Sequence, residues 1–161
     1  KFLGGDEIAR PPRMFVGAAA NPFADPFEIR VPRLAKKVAA GVEFIQTQCI
    51  YNMEKFQQWI DQANDMGLTE KVYILAGVTP FKSIGMARYM KNNVPGILVP
   101  DEIIERMTAA GAPWAGKKKE EMTPEDKKAR AQAWRTEGIQ VCIDLIQQLV
   151  DVLELKLQAI E

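Results

Sequence analysis

The stretch MFVGAAANPFADPFEIRVPRLAKKVAAGVEFIQTQCIYN, residues 14–52, decides the fold. It holds two apolar strand-like runs, Met14 to Ala20 and Glu43 to Cys49, joined by a basic, alanine-rich segment of helical pattern. A third run, Val72 to Val78, repeats the pitch of about 29 residues, close to the length of one strand-helix-strand unit. That pitch predicts consecutive parallel strands, hence an α/β fold. In such folds the carboxyl ends of the strands face the ligand, which puts Asn21, Thr47 and Gln48 where chemistry normally sits.

The connecting segments read as helices. Pro32 suits a first helical position and Gly41 a stop, with residues 26–31 either loop or first turn. Asn52 is a good N-cap for a second helix that carries Phe56, Ile60 and Ala63 on one face and closes at Gly67. After Val78 the pattern changes. TPFKS opens a short helix through Met86 and Tyr89, and NNVPGILVPDEIIERM reads as an extended piece followed by a helix from Asp101. Residues 108–128 form a polar loop segment, whose KKKEEMTPEDKK run reads as a solvated stretch. Thr123, Pro124 and Asp126 then start a long helix. Its apolar stripe of Ile139, Cys142, Ile143, Ile146, Leu149, Val150 and Leu153 suits packing over a sheet, as a core element and not a coiled-coil handle. The final LELKLQAIE alternates like a strand, yet no turn residue precedes it, so it either continues the helix or follows loop residues missing before Leu155.

Composition narrows the function. The 161 residues are 47% hydrophobic and 26% charged, as expected for one soluble domain. Lys+Arg and Asp+Glu balance at 21 each, so no broad positive field favours nucleic acid or an anionic membrane. Any anionic ligand must be held locally. The chain has no histidine, which removes the commonest general base and zinc ligand, and no metal site is expected. Cys49 and Cys142 lack metal or redox spacing and read as free thiols. No apolar run approaches the roughly 20 residues of a membrane span, and no charged-then-apolar leader opens the chain, so it reads as cytoplasmic. The opening KFLGGDEIARPPR begins with Lys1 and resembles the tail of a preceding loop, which points to a fragment.

Phosphate-loop, dinucleotide and nucleophile-elbow signatures are all absent. What remains at successive strand ends is a set of amide, small and basic residues: Ala18 to Asn21, Gln46 to Cys49 and Ala76 to Pro80. Small residues let a flat ring approach the backbone, and amides offer a donor beside an acceptor to a heterocycle edge such as that of a pterin or flavin.

The ordered blocks GAAANPFADPFE, RLAKKVAAG, EFIQTQCIYN, ILAGVTPFKS, GMARYM and VPGILVPDEIIERM resemble the second half of a methylenetetrahydrofolate reductase, in the branch of anaerobes using the reductive acetyl-CoA pathway. The resemblance is close over residues 14–107 and looser over 123–161. It implies the C-terminal half of a (β/α)8 TIM barrel, about strands five to eight, with residues 1–161 forming one partial-barrel domain. It implies a flavin, FAD or FMN, at the strand carboxyl ends and a tetrahydrofolate substrate, placing the chain in one-carbon metabolism and methionine biosynthesis. Hydride would pass to the flavin and then to 5,10-methylenetetrahydrofolate, giving 5-methyltetrahydrofolate.

By the same resemblance Gln48 hydrogen-bonds the pterin and Thr47 lines the substrate pocket, while Lys37, Ala19, Asn21, Arg30 and Arg33 fall at the flavin. The family's general-acid glutamate, at the end of the first strand, has no counterpart among Glu28, Glu43 or Asp101, so this chain alone is expected to be inactive. It also departs from the well-studied bacterial enzymes. They carry an aromatic and a histidine where Asn21 and Asp25 stand here, an acid and an amide at Arg30 and Arg33, and a glutamine near Met86. Two arginines beside Lys37 favour a terminal phosphate, hence FMN, with surface arginines the plain alternative. A small electron-transfer subunit or a second copy is the implied partner. The competing readings are a pterin-dependent corrinoid methyltransferase barrel and a non-catalytic subunit-interaction protein.

Overall fold

The computed structural model describes residues 1–118 and 120–157, with side chains through Val152. Three strands, β1 (Gly17–Ala20), β2 (Phe44–Cys49) and β3 (Tyr73–Gly77), lie parallel in the order β1-β2-β3. Gly17 pairs with Phe44 and Phe44 with Tyr73; two residues on, Ala19, Gln46 and Leu75 align in the same way. Sheet and helices thus form the α/β arrangement that the strand pitch predicts. β1 is shorter than its apolar run: Met14, Phe15 and Val16 are exposed, although the Val16 carbonyl still accepts from the Glu43 and Phe44 N–H groups at 2.8 and 3.3 Å.

Helix α1 (Arg30–Ala39) begins two residues before Pro32, after a 3₁₀ turn at Phe27–Ile29. Pro32 is tolerated at the third position because the first four helical N–H groups have no intrahelical acceptor. Gly41, at φ +89°, ends the helix in a conformation that side chains with a Cβ rarely adopt. Helix α2 (Met53–Asp65) starts as its cap residue dictates: Asn52 Oδ1 accepts from the Lys55 N–H at 2.8 Å. Its buried face is Phe56, Trp59, Ile60 and Ala63. These join Val31 and Leu34 of α1 and Ile45 of β2 in a core on one side of the sheet. Within that core the Trp59 indole N–H has no partner among the described residues.

Beyond β3 come α3 (Ile84–Asn93), capped by Ser83, and α4 (Asp101–Ala110), joined by an extended link. A second core forms here from Tyr51, Phe81, Ile97, Val99 and Met107, closed by Val141 and Leu145 of α5 (Pro124–Leu157). The polar 108–128 segment is more anchored than its charge suggests. Met122 is buried, and Asp126 accepts from the Trp114 indole at 3.2 Å and pairs with Lys117 at 3.3 Å.

The α5 stripe corrects an expectation. Of its apolar residues only Leu149 is buried, whereas Ile139, Ile143, Ile146 and Val150 are 39–52% exposed; the Leu153 side chain lies outside the described ones. The helix docks instead through Gly138, Val141, Leu145 and Leu149. Gly138 sets that choice, since a Cβ there would fall 1.9 Å from the Phe81 carbonyl oxygen, so only glycine lets α5 approach the 79–107 segment by this edge. Helix continues through Leu157, so residues 153–157 are not a strand, and 158–161 lie outside the described residues. The fourth strand expected of a half barrel is therefore absent among the described residues.

Candidate functional site

Strand alternation divides the sheet. One face, with Ile45 and Ile74, meets the helices. The other is open, and its residues come in layers as in a barrel interior. At the amino end Phe44 stacks on Phe15 with centroids 5.3 Å apart, and Phe15 lies 6.2 Å from Tyr73. Gly17 makes that layer possible, because any Cβ there would enter the Phe44 ring. Ala19, Gln46 and Leu75 form the next layer by register, all exposed.

At the carboxyl end β2 carries a bulge. Between Gln46↔Leu75 and Cys49↔Gly77 it has one residue more than β3. Thr47 and Gln48 are the residues in that interval. A bulge re-aims side chains and frees ladder groups, and bulges concentrate at sites of function. Thr47 turns its hydroxyl to the Gly77 N–H at 2.9 Å and is 6% exposed, so the hydroxyl is committed to the strand junction. Gly77 is required, since a Cβ there would meet the Thr47 carbonyl at 2.8 Å. Gln48 Oε1 accepts from the neighbouring Cys49 N–H at 3.1 Å, and its amide nitrogen has no partner among the described residues.

Gln46, Thr47 and Gln48 share an open cleft of about 620 Å³ with Gly17 to Asn21 of the first strand and its loop and with Arg30, Arg33 and Lys37 of α1. All seven residues singled out from the sequence line this one cleft. Lys37 donates to the Ala19 carbonyl. Arg30 donates from Nε to the Pro26 carbonyl at 3.1 Å and from Nη2 to the Asp25 carbonyl at 2.8 Å. Asn21 has a local duty: its Oδ1 accepts from the Phe23 N–H at 3.0 Å, and its amide sits where a side chain on Gly96 would be. The sequence reading placed Gln46 among the strand-end amides but gave it no role, and the structure brings it into the same cleft as Gln48.

A second cleft, about 390 Å³, lies between the start of α2 and helices α4 and α5. Arg106 in its lining pairs with Glu137 at 2.7 Å and Asp144 at 2.8 Å, while Glu54 and Glu102 add two further carboxylates. Beside it the buried Tyr51 hydroxyl donates to the Thr79 carbonyl at 2.8 Å, and burial pushes its ionisation upward so that it stays neutral. Both cysteines are free, as expected, with Cys49 Sγ 3.3 Å from the Thr79 hydroxyl. Among the described residues no helix is long and apolar enough to cross a membrane, and no cluster of carboxylates and thiols is placed to hold a metal ion.

A parallel sheet with helices on one face and an amide-lined cleft at its strand ends defines an α/β protein of the class that binds ligands at strand carboxyl termini. The chain belongs to the methylenetetrahydrofolate reductase family, whose sequence model matches residues 12–158. Over 124 residues it is 27% identical to methylenetetrahydrofolate reductase 2 of Schizosaccharomyces pombe, a match covering 75% of this chain and 16% of that protein. The chain thus spans about a sixth of the length of that curated relative.

Proposed function

We propose that this chain forms part of a (β/α)8 barrel that reduces 5,10-methylenetetrahydrofolate to 5-methyltetrahydrofolate with a bound flavin. One observation carries the reading: the bulge at Thr47 and Gln48 sets carboxamides at the strand mouth, in the same cleft as three cations. The residues suit a flavin, because Gly17, Ala18, Ala19 and Ala20 leave a shallow wall for a ring and Arg30, Arg33 and Lys37 supply charge for its anionic tail. The flavin would supply hydride transfer to the folate's methylene carbon. Gln48 presents its free amide N–H groups, and the second lone pair of Oε1, to the donor-and-acceptor edge of the pterin. Gln46, one layer deeper, offers the same chemistry to the edge of the ring beneath. The hydroxyl of Thr47 fixes β3 against β2, so its part is to hold Gln48 in register. Proton donation to the opening folate ring is left to a residue of the protein outside this chain.

The test is visible absorption of the full-length protein. A flavin band that bleaches when methyltetrahydrofolate is added without an electron acceptor supports the reductase. Methyl transfer to a corrinoid protein without bound flavin would replace it with the methyltransferase reading. The exposed Ile139, Ile143, Ile146 and Val150 of α5 favour one further reading, a subunit-interaction protein, for which neither signal is expected. That surface suits contact with the rest of a barrel, an electron-transfer subunit or a second copy.

A further inference from the structure

We infer that Tyr51 is a positioning residue for the Gln48 carboxamide, acting on it through Thr79 and Cys49. The inference rests on the reading of Gln48 above and adds what holds that side chain in place. The residues form one chain of contacts. The Tyr51 hydroxyl donates to the Thr79 carbonyl at 2.8 Å, the Thr79 hydroxyl lies 3.3 Å from Cys49 Sγ, and the Cys49 N–H donates to Gln48 Oε1 at 3.1 Å. The two ends of this chain differ in kind. Tyr51 is buried, its ring stacked on Phe81 with centroids 4.5 Å apart, whereas Gln48 is half-buried in the wall of the open cleft. A fixed core residue is thus linked to the rotatable side chain that faces the ligand.

The link lies where the sheet has stopped holding its strands in register. Tyr51 and Thr79 stand just past Cys49 and Gly77, the last paired residues of β2 and β3, and the bulge has already interrupted the ladder before them. Side chains take over from there. Thr47 meets the Gly77 N–H, Cys49 meets the Thr79 hydroxyl and Tyr51 meets the Thr79 carbonyl, so alternate residues of one segment tie down the other. The Ile50 N–H adds a bond to the Gly77 carbonyl at 2.8 Å. Gln48 stands between the anchored Thr47 and Cys49. With Oε1 held, its carboxamide is oriented before a ligand arrives, so less rotamer freedom is lost on binding.

The experiment follows oxidation of methyltetrahydrofolate by the full-length protein with an artificial quinone as electron acceptor. Tyr51→Phe keeps the ring against Phe81 and removes only the oxygen. It should raise KM for the folate about fivefold, the worth of one neutral hydrogen bond, with flavin content unchanged. Combined with Gln48→Ala it should add nothing, because a residue that acts through Gln48 then has nothing to position. Thr79→Val breaks the middle of the chain and should raise KM likewise, whereas Thr79→Ser, which retains the hydroxyl, should match the parent. A parent-like KM in Tyr51→Phe or Thr79→Val overturns the inference. So do effects that multiply in the double variant, since those mark a Tyr51 that serves stability alone. An unimpaired Gln48→Ala would instead sink the reading of Gln48 itself, and this inference with it.

Discussion

The two faces of the sheet are made by alternate residues of the same strands, yet they are built for different ends. On the helix side Ile45 is fully buried beneath Phe56, Trp59 and Ile60, each at most 2% exposed. On the open side Tyr73 and Leu75 are 73% and 51% exposed, and carboxamides and small residues replace branched aliphatics toward the strand ends. Only the first face can hold this chain folded. The second is open, and its strand ends line the cleft that is free to serve a ligand.

The comparison breaks most visibly through core truncation. Phe56→Ala should cost about 3–5 kcal/mol in chemical denaturation, because it removes a buried ring and leaves a cavity. Leu75→Ala is the informative counterpart. If the open face stays bare in the full-length protein, the change should lie within about 0.5 kcal/mol, as for other surface positions. If further strands close over it, as the barrel reading requires, the cost should rise to about 2 kcal/mol or more. A small effect in the full-length protein would count against the barrel.

Next in size is Gly77→Ala, which should destabilise by about 1–3 kcal/mol, since its Cβ would press on the Thr47 carbonyl at 2.8 Å. The same change should disturb the bulge, so folate affinity should fall with it. Binding that survives intact would separate Gln48 from the bulge that positions it. Gln48→Ala itself should lower folate turnover by about tenfold, one hydrogen bond to a charged or strongly polar partner, with flavin content unchanged. Unaltered turnover would remove Gln48 from the site.

Much of this architecture was readable in the residues. The repeat of strand-like runs gave parallel order, and Asn52, Ser83 and Thr123 mark helix starts because their side-chain oxygens satisfy N–H groups that no helix can satisfy internally. The seven candidate site residues converge on one cleft for the same reason: strand ends and the following helix must meet there. Three things were hidden. The bulge in β2 depends on pairing with β3, which no local pattern announces. The commitment of the Thr47 hydroxyl to Gly77 follows from that bulge. The docking edge of α5 was misread because its apolar stripe is wider than one contact, and the choice between edges is made by a steric fact at Gly138.

The smallest expected effect concerns how α5 is held while so much of its apolar stripe stays exposed. Arg106 of α4 reaches Glu137 and Asp144, two residues about two turns apart on α5, and so fastens the helix by a charged edge beside the buried one. Hydrogen bonds from Gln140 and then Arg106 hold the Asp144 carboxyl below its ordinary value of 3.8. A group whose ionisation is depressed by folding contributes stability above its unfolded value and loses it as pH falls through its folded value. Asp144→Asn should therefore lower the melting temperature slightly at neutral pH, and the gap to the parent protein should close as the pH drops below 3.8. High salt should narrow the gap as well, because the pair is partly solvated. A gap that persists in acid would mean that the carboxylate charge is not what Arg106 holds, and no gap at any pH would mean that packing at Val141 and Leu145 alone fixes the helix.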